Sequence, residues 1–383
     1  METRLFDEER FRSLRAAFPI LERRAYLFAG GLAPLSAPSR AALEEYAELS
    51  SSDPVTAYGD VPRVEAERLR ETVAPLIGAG TDELAIVDGT SRGNNLAVQL
   101  VEAPPGSNVV VDPTTYPSAL FPWLLPARSH VEVRQVGADV RGLPLLDDFP
   151  RLVDDRTVAV SISHVCRLTG FRHDLRSLAG LAHAHGAALL VDAAQSVGAV
   201  PVDVGRDGVD ALSFGAMKWL LGTPGVAFFH ASQGLCDRAP LVQAGLAGAS
   251  LSGGRVEPAP GARRFELGSG SWGGLAASRC GAELAGAQAP EAVERGVLAL
   301  SGLLVEGLAE RGHVVRTPTD PARRAGIVAF EHGSPDALRR HLRSLGVDVW
   351  AWEARGVVRA DPHVYNVPDD VDRFLAGLDA FGR

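Results

Sequence analysis

Short apolar runs alternate with helix-like stretches through the middle of the chain. Each run is continuous rather than alternating between apolar and polar residues, and each ends in a polar or glycine-containing segment. Continuous apolar runs of this length are typical of strands buried on both faces, and the stretches between them carry apolar residues at helical spacing. This alternation predicts an α/β fold with a mostly parallel sheet flanked by helices. The predicted strands are 84–87, 109–111, 157–162, 188–191, 211–214 and 225–229.

Helical patterns dominate both ends of the chain. Before the predicted sheet, apolar spacing predicts helices over 39–50 and 63–77, and residues 1–20 predict a short N-terminal helix. After residue 290, helices combine with isolated strands, which predicts an α+β region. Its predicted elements are helices over 291–311, 335–345 and 369–381 and strands over 327–330 and 347–350.

The chain of 383 residues and 40.4 kDa is long enough for two domains. We expect an N-terminal segment (residues 1–20) that packs near a small C-terminal domain (291–383), with a large domain (21–290) between them. The stretch 247–264 is rich in Gly, Ser, Pro and Arg, and we interpret it as a mobile loop or lid.

Composition and charge argue against several classes of function. The net charge of −9 and pI of about 5.6 provide no basic field for nucleic acid or an anionic membrane. No apolar stretch reaches the length of a membrane span, and the first ten residues lack an apolar signal core. The three cysteines, Cys166, Cys236 and Cys280, have no metal-binding spacing, so we expect no metal and a reduced, cytoplasmic setting.

The chain contains one lysine, Lys218, among 38 basic residues. Arginine replaces lysine in ion pairs and phosphate contacts, but it is never deprotonated in a protein and cannot attack a carbonyl as a primary amine. A single retained lysine therefore indicates Schiff-base chemistry, although a strongly arginine-biased composition is the alternative explanation.

Other polar groups fit the needs of pyridoxal phosphate, which are an amine, an anion for the pyridine nitrogen, a phosphate cradle and a flat group on the ring. Asp192 ends a buried strand, where an unpaired carboxylate is costly, and Gln195, three residues later, could form a hydrogen bond with the ring 3-oxygen. Thr90 and Ser91 start a helix after a strand, an arrangement that can bind an anion, although Ser and Thr at such a position are more often ordinary N-caps.

The chain resembles the class V aminotransferase family of fold type I pyridoxal-phosphate enzymes. That family includes cysteine desulfurases, isopenicillin N epimerase-like proteins, kynureninases and cysteine-conjugate C–S lyases. The resemblance extends over about residues 20–380 and rests on six motifs in the family's order. They are Gly89-Thr-Ser91, Thr115-Tyr-Pro-Ser118, Ser163-His-Val-Cys-Arg-Leu-Thr-Gly170, Leu190-Val-Asp-Ala-Ala-Gln195 with Lys218, Phe265-Glu-Leu-Gly-Ser269 and Val357-Val-Arg-Ala-Asp-Pro-His-Val-Tyr-Asn366.

The resemblance implies a role for each candidate residue. It makes Lys218 the aldimine lysine and proton carrier and implies a homodimer with active sites at the subunit interface. The implied cofactor contacts are the pyridine nitrogen for Asp192, the ring 3-oxygen for Gln195, the ring face for Tyr116 and the phosphate for Thr90 and Ser91. Ser269 is implied to reach the partner subunit's phosphate site, and Arg359 to bind the carboxylate of an amino-acid substrate.

Departures from the family pattern bear on the reaction. Gly215, Ala216 and Met217 replace phosphate donors that often precede the lysine, and Phe28-Ala29 replaces a polar pair in the first loop. Desulfurases carry a nucleophilic cysteine shortly before the arginine, whereas this chain has no cysteine after Cys280. We therefore expect no persulfide-forming desulfurase but Cα deprotonation followed by β-elimination from a cysteine S-conjugate, as in C–S lyases of sulfur-containing natural-product pathways.

Several alternatives remain open at this point. An aminotransferase, an epimerase or a decarboxylating deaminase has the same fold and would use the same lysine. A catalytically silent pyridoxal-phosphate-binding protein is another alternative, which the missing phosphate donors favour. A nicotinamide-dependent dehydrogenase is disfavoured, because no Gly-x-Gly-x-x-Gly turn follows an early strand.

Overall fold

The computed structural model describes residues 8–268 and 270–381. Strands are present at most of the positions where the sequence predicts them. In chain order the strands are β1 (Ala25–Tyr26), β2 (Leu84–Val87), β3 (Asn108–Val111), β4 (Glu132–Gln135), β5 (Thr157–Ser163), β6 (Ala188–Asp192), β7 (Ala211–Gly215), β8 (Ala227–Ala231), β9 (Ala249–Ser252), β10 (Arg255–Pro258), β11 (Val328–Glu331), β12 (Val347–Asp348), β13 (Trp350–Trp352) and β14 (Val357–Ala360).

Helices lie between the strands and at both ends of the described chain. They are α1 (Glu8–Arg15), α2 (Ala37–Ser52), α3 (Pro54–Tyr58), α4 (Asp60–Val73), α5 (Thr90–Leu100), α6 (Pro117–Leu120), α7 (Phe149–Leu152), α8 (Leu175–Ala184), α9 (Val204–Asp207), α10 (Gln233–Arg238), α11 (Trp272–Ala285), α12 (Pro290–Glu310), α13 (Pro335–Ser344) and α14 (Pro368–Phe381).

Seven strands form the central sheet in the order β2-β8-β7-β6-β5-β3-β4. The five strands from β7 to β4 are parallel to their neighbours, and β8 runs antiparallel to both β7 and β2. The inner strands are buried on both faces, which explains their continuous apolar sequences. The predicted α/β fold with a mostly parallel sheet and flanking helices is confirmed.

The two ends of the chain meet beside this sheet. β1 pairs in parallel with β12, and Phe28 forms an isolated bridge with Asp361. A second sheet, β11-β14-β13, is antiparallel and packs with the helices that follow residue 290. One hydrophobic cluster includes residues from Phe11 to Leu378, so buried apolar contacts are continuous across residue 290. The domain limits at 1–20, 21–290 and 291–383 therefore stay a prediction.

The prediction of a loop over residues 247–264 is wrong for the residues that form strands. The structure has an antiparallel hairpin there, with β9 paired to β10 and a turn at Gly253 and Gly254. Both glycines have positive φ, 55° and 77°, as a tight two-residue hairpin turn requires. The hairpin was missed because its strands are exposed and carry no buried apolar face, so only the Gly-Gly pair signalled it.

The last predicted strands also differ from the structure in their limits. β8 begins at Ala227 rather than at residue 225, because Gly225 adopts a positive φ of 83° before the strand starts. The predicted strand 347–350 divides at Val349 into β12 and β13, which pair with different partners. Among the helices of the described residues, none is long and apolar enough to cross a membrane.

We expect Gly198 to be required for the position of the segment that follows β7. Its φ is 93°, and a Cβ there would overlap the carbonyl oxygen of Trp219. Gly186 is the matched control, because its φ is 74° and a Cβ there would meet no atom within 4 Å. Gly186→Ala should cost about 1–2 kcal/mol of unfolding free energy from left-handed backbone strain alone. Gly198→Ala should cost about 1–3 kcal/mol more because of the overlap.

Urea unfolding of both variants, followed by tryptophan fluorescence, measures this difference. Equal losses of stability would show that the contact at Gly198 relaxes without cost.

Candidate active site

A cavity of about 270 Å³ lies at the carboxyl end of the central parallel strands. Parallel α/β sheets place ligands at this edge because their strand ends and helix starts converge there. The side chains and backbone that line it come from the ends of β5, β6 and β7, the start of β8 and the start of α5. The lining includes Thr90, Ser91, Tyr116, Arg167, Asp192, Gln195 and Lys218.

Lys218 lies in the cavity wall on the turn that follows β7. Burial lowers the pKa of its amine to about 8, although the nearby Asp192 carboxylate opposes this shift and the Arg359 guanidinium adds to it. The turn is held at both sides, because Ala33 N donates to Met217 O at 2.8 Å and Trp219 Nε1 donates to Gln195 Oε1 at 2.9 Å. An amine with this pKa is partly neutral near pH 8 and can act as a base.

Asp192 ends β6 and is buried, with 4% of its surface exposed. Its Oδ1 accepts the amide of Ala194 at 3.0 Å, and its Oδ2 accepts Asn94 Nδ2 at 2.8 Å. Burial nevertheless raises the pKa of this carboxyl group. In the part of the chain that the structure describes, no basic nitrogen lies within 4 Å of it. A cation beside this carboxylate would offset the cost of its burial.

The first turn of α5 presents Thr90 and Ser91 to the cavity. The N-cap is Gly89, with no side-chain cap, so the interpretation of these two residues as N-caps is wrong. The backbone N–H groups of a first helical turn have no carbonyl acceptor inside their own helix. Together with nearby hydroxyl groups they can therefore donate hydrogen bonds to a bound anion. A Cβ at Gly215 would lie 3.1 Å from Thr90 Oγ1, so the absence of a side chain there keeps the space beside this turn open.

The structure also brings Gln195 and Tyr116 to the cavity. The Gln195 amide is already oriented, because Nε2 donates to Gly30 O at 2.9 Å while Oε1 accepts from Trp219. Tyr116 is 39% exposed, and its ring faces the guanidinium of Arg167 at 5.1 Å from the centroid. Their cofactor contacts stay predictions.

Arg359 is 3% exposed and is not among the residues that line the cavity, although its guanidinium is close enough to lower the pKa of Lys218. Its Nε donates to the buried Asp361 carboxylate at 3.0 Å, and its Nη1 donates to Arg167 O at 2.7 Å. Its guanidinium carbon lies 4.9 Å from the Trp350 ring centroid. Its predicted contact with a substrate carboxylate stays a prediction. Ser269, the remaining predicted residue, lies outside the described residues.

Three residues of this region were not singled out from the sequence, although two of them, Arg167 and Asp361, stand in motifs that were. Asn94 is buried on α5 and donates to Asp192 and to Ser118 Oγ. Arg167 lines the cavity, and Asp361 holds Arg359. A buried asparagine on an apolar helix face was a usable signal, whereas only tertiary structure shows the positions of the other two.

The residues present fit pyridoxal phosphate. The cavity combines one primary amine, one buried carboxylate without a cation, a helix N-terminus with two hydroxyl groups, and an aromatic face. These are the four groups that the cofactor requires. Groups of three or more side chains that could hold a metal ion are absent from the described residues.

Comparison with protein families and with known proteins agrees with this arrangement. The family model described as aminotransferase class V matches residues 25–374. A kynureninase of Pseudomonas fluorescens is 32% identical, over 74% of this chain and 70% of its own length. A cysteine desulfurase of Klebsiella pneumoniae is 30% identical, over 82% of this chain and 81% of its own length.

A solved structure shares the fold. The apo cysteine desulfurase of Thermococcus onnurineus NA1 superposes with a TM-score of 0.85 and 23% identity, covering 96% of this chain and 97% of that one.

We expect the cofactor-free protein to contain one side-chain amine that titrates near pH 8 rather than near 10.5, because burial disfavours its charged form. Limited acetylation across pH 6–11 should label Lys218 with a midpoint near pH 8, read from its peptide by mass spectrometry. The chain's only other amine is its N-terminus. Lys218→Arg should therefore remove all side-chain labelling, and a midpoint near 10.5 in the parent protein would contradict the burial of this amine.

Proposed function

Because the chain belongs to the class V aminotransferase family and is therefore a pyridoxal-phosphate-dependent enzyme of fold type I, we propose that it catalyses β-elimination on a cysteine S-conjugate. The observation that carries this proposal is a cavity with a partly neutral lysine amine and without a thiol. In the overall reaction, an S-alkyl cysteine and water give a thiol, pyruvate and ammonia.

When bound, pyridoxal phosphate supplies a conjugated ring that accepts the electron pair released as the substrate Cα loses its proton. Lys218 Nζ takes that proton, since its pKa of about 8 leaves the amine partly unprotonated near neutral pH. Asp192 would stabilise a proton on the pyridine nitrogen of a bound cofactor, and Asn94 and the Ala194 amide keep its carboxylate in place. Thr90, Ser91 and the start of α5 hold the phosphate.

The cysteines support elimination over persulfide formation. Cys166 and Cys236 are buried in hydrophobic clusters and Cys280 lies on α11, and none lines the cavity. The segment before Arg359 forms β13, which carries Trp350-Ala-Trp352 and pairs with β14. A thiol that accepts sulfur from a substrate must reach the cavity, and no described cysteine does so.

A second candidate is a cysteine desulfurase. The likeness to the Klebsiella pneumoniae desulfurase, over most of both chains, favours it. The lack of a cavity thiol opposes it, so experiments on the cysteines discriminate between the two reactions. Kynurenine is a useful third substrate, because a relative of 32% identity is a kynureninase.

We also propose a homodimer whose active sites lie at the subunit interface. Exposed apolar side chains on α3 and near the β9–β10 hairpin support it, since Val55 is 80% and Leu246 is 99% exposed. Sedimentation that gives an active monomer would exclude this assembly. A cytoplasmic location stays a prediction.

We expect the holoenzyme to convert S-alkyl cysteines to pyruvate and a thiol, measured by a coupled lactate dehydrogenase assay and a thiol reagent. Lys218→Arg keeps the positive charge but not the titratable amine, so kcat should fall at least about a hundredfold, the low end for a positioned base. If keto acids or D-amino acids appear instead of pyruvate and a thiol, the enzyme is an aminotransferase or an epimerase.

We expect a variant with Cys166, Cys236 and Cys280 all replaced by alanine to keep its activity toward S-alkyl cysteines. It should fold, because two of these positions accept a small apolar side chain within a cluster at a modest cavity cost. L-Cysteine should leave no persulfide on the parent chain, as judged by mass spectrometry. A persulfide there, and loss of sulfur release in the folded variant, would support a desulfurase.

A further inference from the structure

Trp219 follows Lys218 directly in the chain and is buried completely. Its indole Nε1 donates to Gln195 Oε1 at 2.9 Å, whereas Gln195 Nε2 donates to Gly30 O at 2.9 Å. An indole nitrogen can only donate and a backbone carbonyl can only accept, so both contacts require the same orientation of the side-chain amide. The chemistry of these two partners therefore determines which end of the Gln195 amide is the oxygen.

This orientation decides what Gln195 can offer to a ligand. An amide nitrogen has two N–H groups, and Gly30 O accepts one of them. Gln195 lines the cavity, so the second N–H remains as a donor there, while the amide oxygen is engaged by Trp219. The ring 3-oxygen of pyridoxal phosphate is an acceptor when it is anionic, and a hydrogen bond from a donor favours that charged form.

The indole of Trp219 is itself held from two sides. The Trp219 carbonyl oxygen accepts His363 Nε2 at 2.9 Å, and the two rings lie edge to face with their centroids 5.0 Å apart. A Cβ at Gly326 would lie 2.6 Å from the indole Cη2 atom, so the ring has no room to move in that direction. Burial lowers the pKa of His363 to about 4, and its imidazole is therefore a neutral donor at neutral pH.

We propose that Trp219 is a positioning residue for the cofactor, because its indole N–H holds the Gln195 amide with an N–H rather than the oxygen toward the ring 3-oxygen. His363 supports this function by fixing the Trp219 backbone. Lys218 and the residue that orients Gln195 are consecutive, so a displacement of this turn would disturb both. The inference rests on the cofactor and not on the proposed elimination, and each can therefore fail without the other.

The pH dependence of the holoenzyme's visible absorption tests this function of Trp219. The spectrum reports the proton shared between the lysine nitrogen and the ring 3-oxygen, and a donor to that oxygen favours loss of the proton. Trp219→Phe keeps an aromatic ring but removes the N–H. The midpoint of the spectral change should therefore rise by about one pH unit, the size expected for a hydrogen bond to a charged group. An unchanged midpoint would overturn the proposal.

A double-mutant cycle separates positioning from general packing. Gln195→Met removes the amide, and it should raise the midpoint at least as much as Trp219→Phe does. Once the amide is absent, Trp219→Phe should cause no further rise, because its effect is exerted through Gln195. Additive shifts would show that Trp219 acts on the cofactor in another way and would contradict the proposal. The charged groups near Lys218 are the same in every variant, and they are Asp192, Arg167, Arg359 and Asp361.

Trp123 provides the matched control. It is also buried, with 1% of its surface exposed, but its indole Nε1 has no hydrogen-bond partner among the described residues, and it does not line the cavity. Trp123→Phe makes the same change of side-chain volume and should leave the midpoint unchanged. A shift equal to that of Trp219→Phe would attribute the effect to lost aromatic volume and overturn the proposal.

A second variant applies if Trp219→Phe does not fold. In 3-benzothienyl-L-alanine, incorporated at position 219, sulfur replaces the indole N–H, so the donor is lost while the size of the ring system is nearly kept. This variant should raise the midpoint as Trp219→Phe does. A parent-like midpoint would show that the indole N–H does not orient Gln195.

His363 gives a further comparison. His363→Phe removes the donor to Trp219 O and should raise the midpoint by less than Trp219→Phe, because the indole N–H is still present. His363→Gln retains an N–H donor and should return the midpoint toward that of the parent. Equal shifts in the two His363 variants would overturn its supporting function.

A calorimetric measurement does not depend on where the parent midpoint lies. The apoenzyme is titrated with 4′-deoxypyridoxine 5′-phosphate, which has the 3-hydroxyl group but no aldehyde. Trp219→Phe should bind it about threefold to tenfold more weakly than Trp123→Phe does, the range for one hydrogen bond. This difference should disappear when both variants also carry Gln195→Met. Equal affinities with Gln195 present would overturn the proposal.

Discussion

A buried carboxylate with no cation in direct contact is the constraint on which this site depends. Asp192 stands at the end of an inner strand, and the two groups that bond it, Asn94 and the Ala194 amide, are neutral. They orient the carboxylate but do not compensate its charge, so burial still raises its pKa. A cation that binds beside it would offset the energy that this arrangement costs the empty protein, and the protonated pyridine nitrogen of the cofactor is the cation that we propose. The same sheet edge holds Lys218, and its lowered pKa has the same cause, since both groups lie where water is scarce.

Much of this arrangement was predictable because local sequence determines it. The strands of the parallel sheet are buried on both faces and appear as continuous apolar runs, and Asp192, Lys218 and the Thr90-Ser91 turn follow such elements directly. Other features depend on contacts distant in sequence. The β9–β10 hairpin is exposed and has no apolar periodicity, and the split at Val349 arises because β12 and β13 have different partners. Nothing local to Arg167 shows that it packs against aromatic rings while Arg359 pairs with a carboxylate.

Two arginines near the cavity differ in their partners, because Arg359 pairs with a carboxylate and Arg167 packs against aromatic rings. Arg359 and Asp361 neutralise each other, and the backbone of Arg167 rests on this pair. An ion pair with hydrogen-bonded partners can be buried deeply, whereas a guanidinium without a carboxylate partner among the described residues favours a partly exposed position such as that of Arg167. Aromatic rings from Tyr116 and Trp352 orient that cation without cancelling its charge. The positions of Trp350 and Trp352 thus serve the wall of the cavity as well as the small sheet.

The pairing of β1 with β12 also has a consequence for biosynthesis. A ribosome produces residues 25–26 more than three hundred residues before residues 347–348, and the bridge from Phe28 to Asp361 closes later still. The cofactor-facing lining, from Asp88 to Ala227, is complete in the nascent chain long before this. During synthesis the residues that line the cavity are therefore produced before the residues that pair with β1 and the first loop. The first loop, in which Gly30 contacts Gln195, acquires its contacts with Arg359 and Asp361 only after the end of the chain has been synthesised.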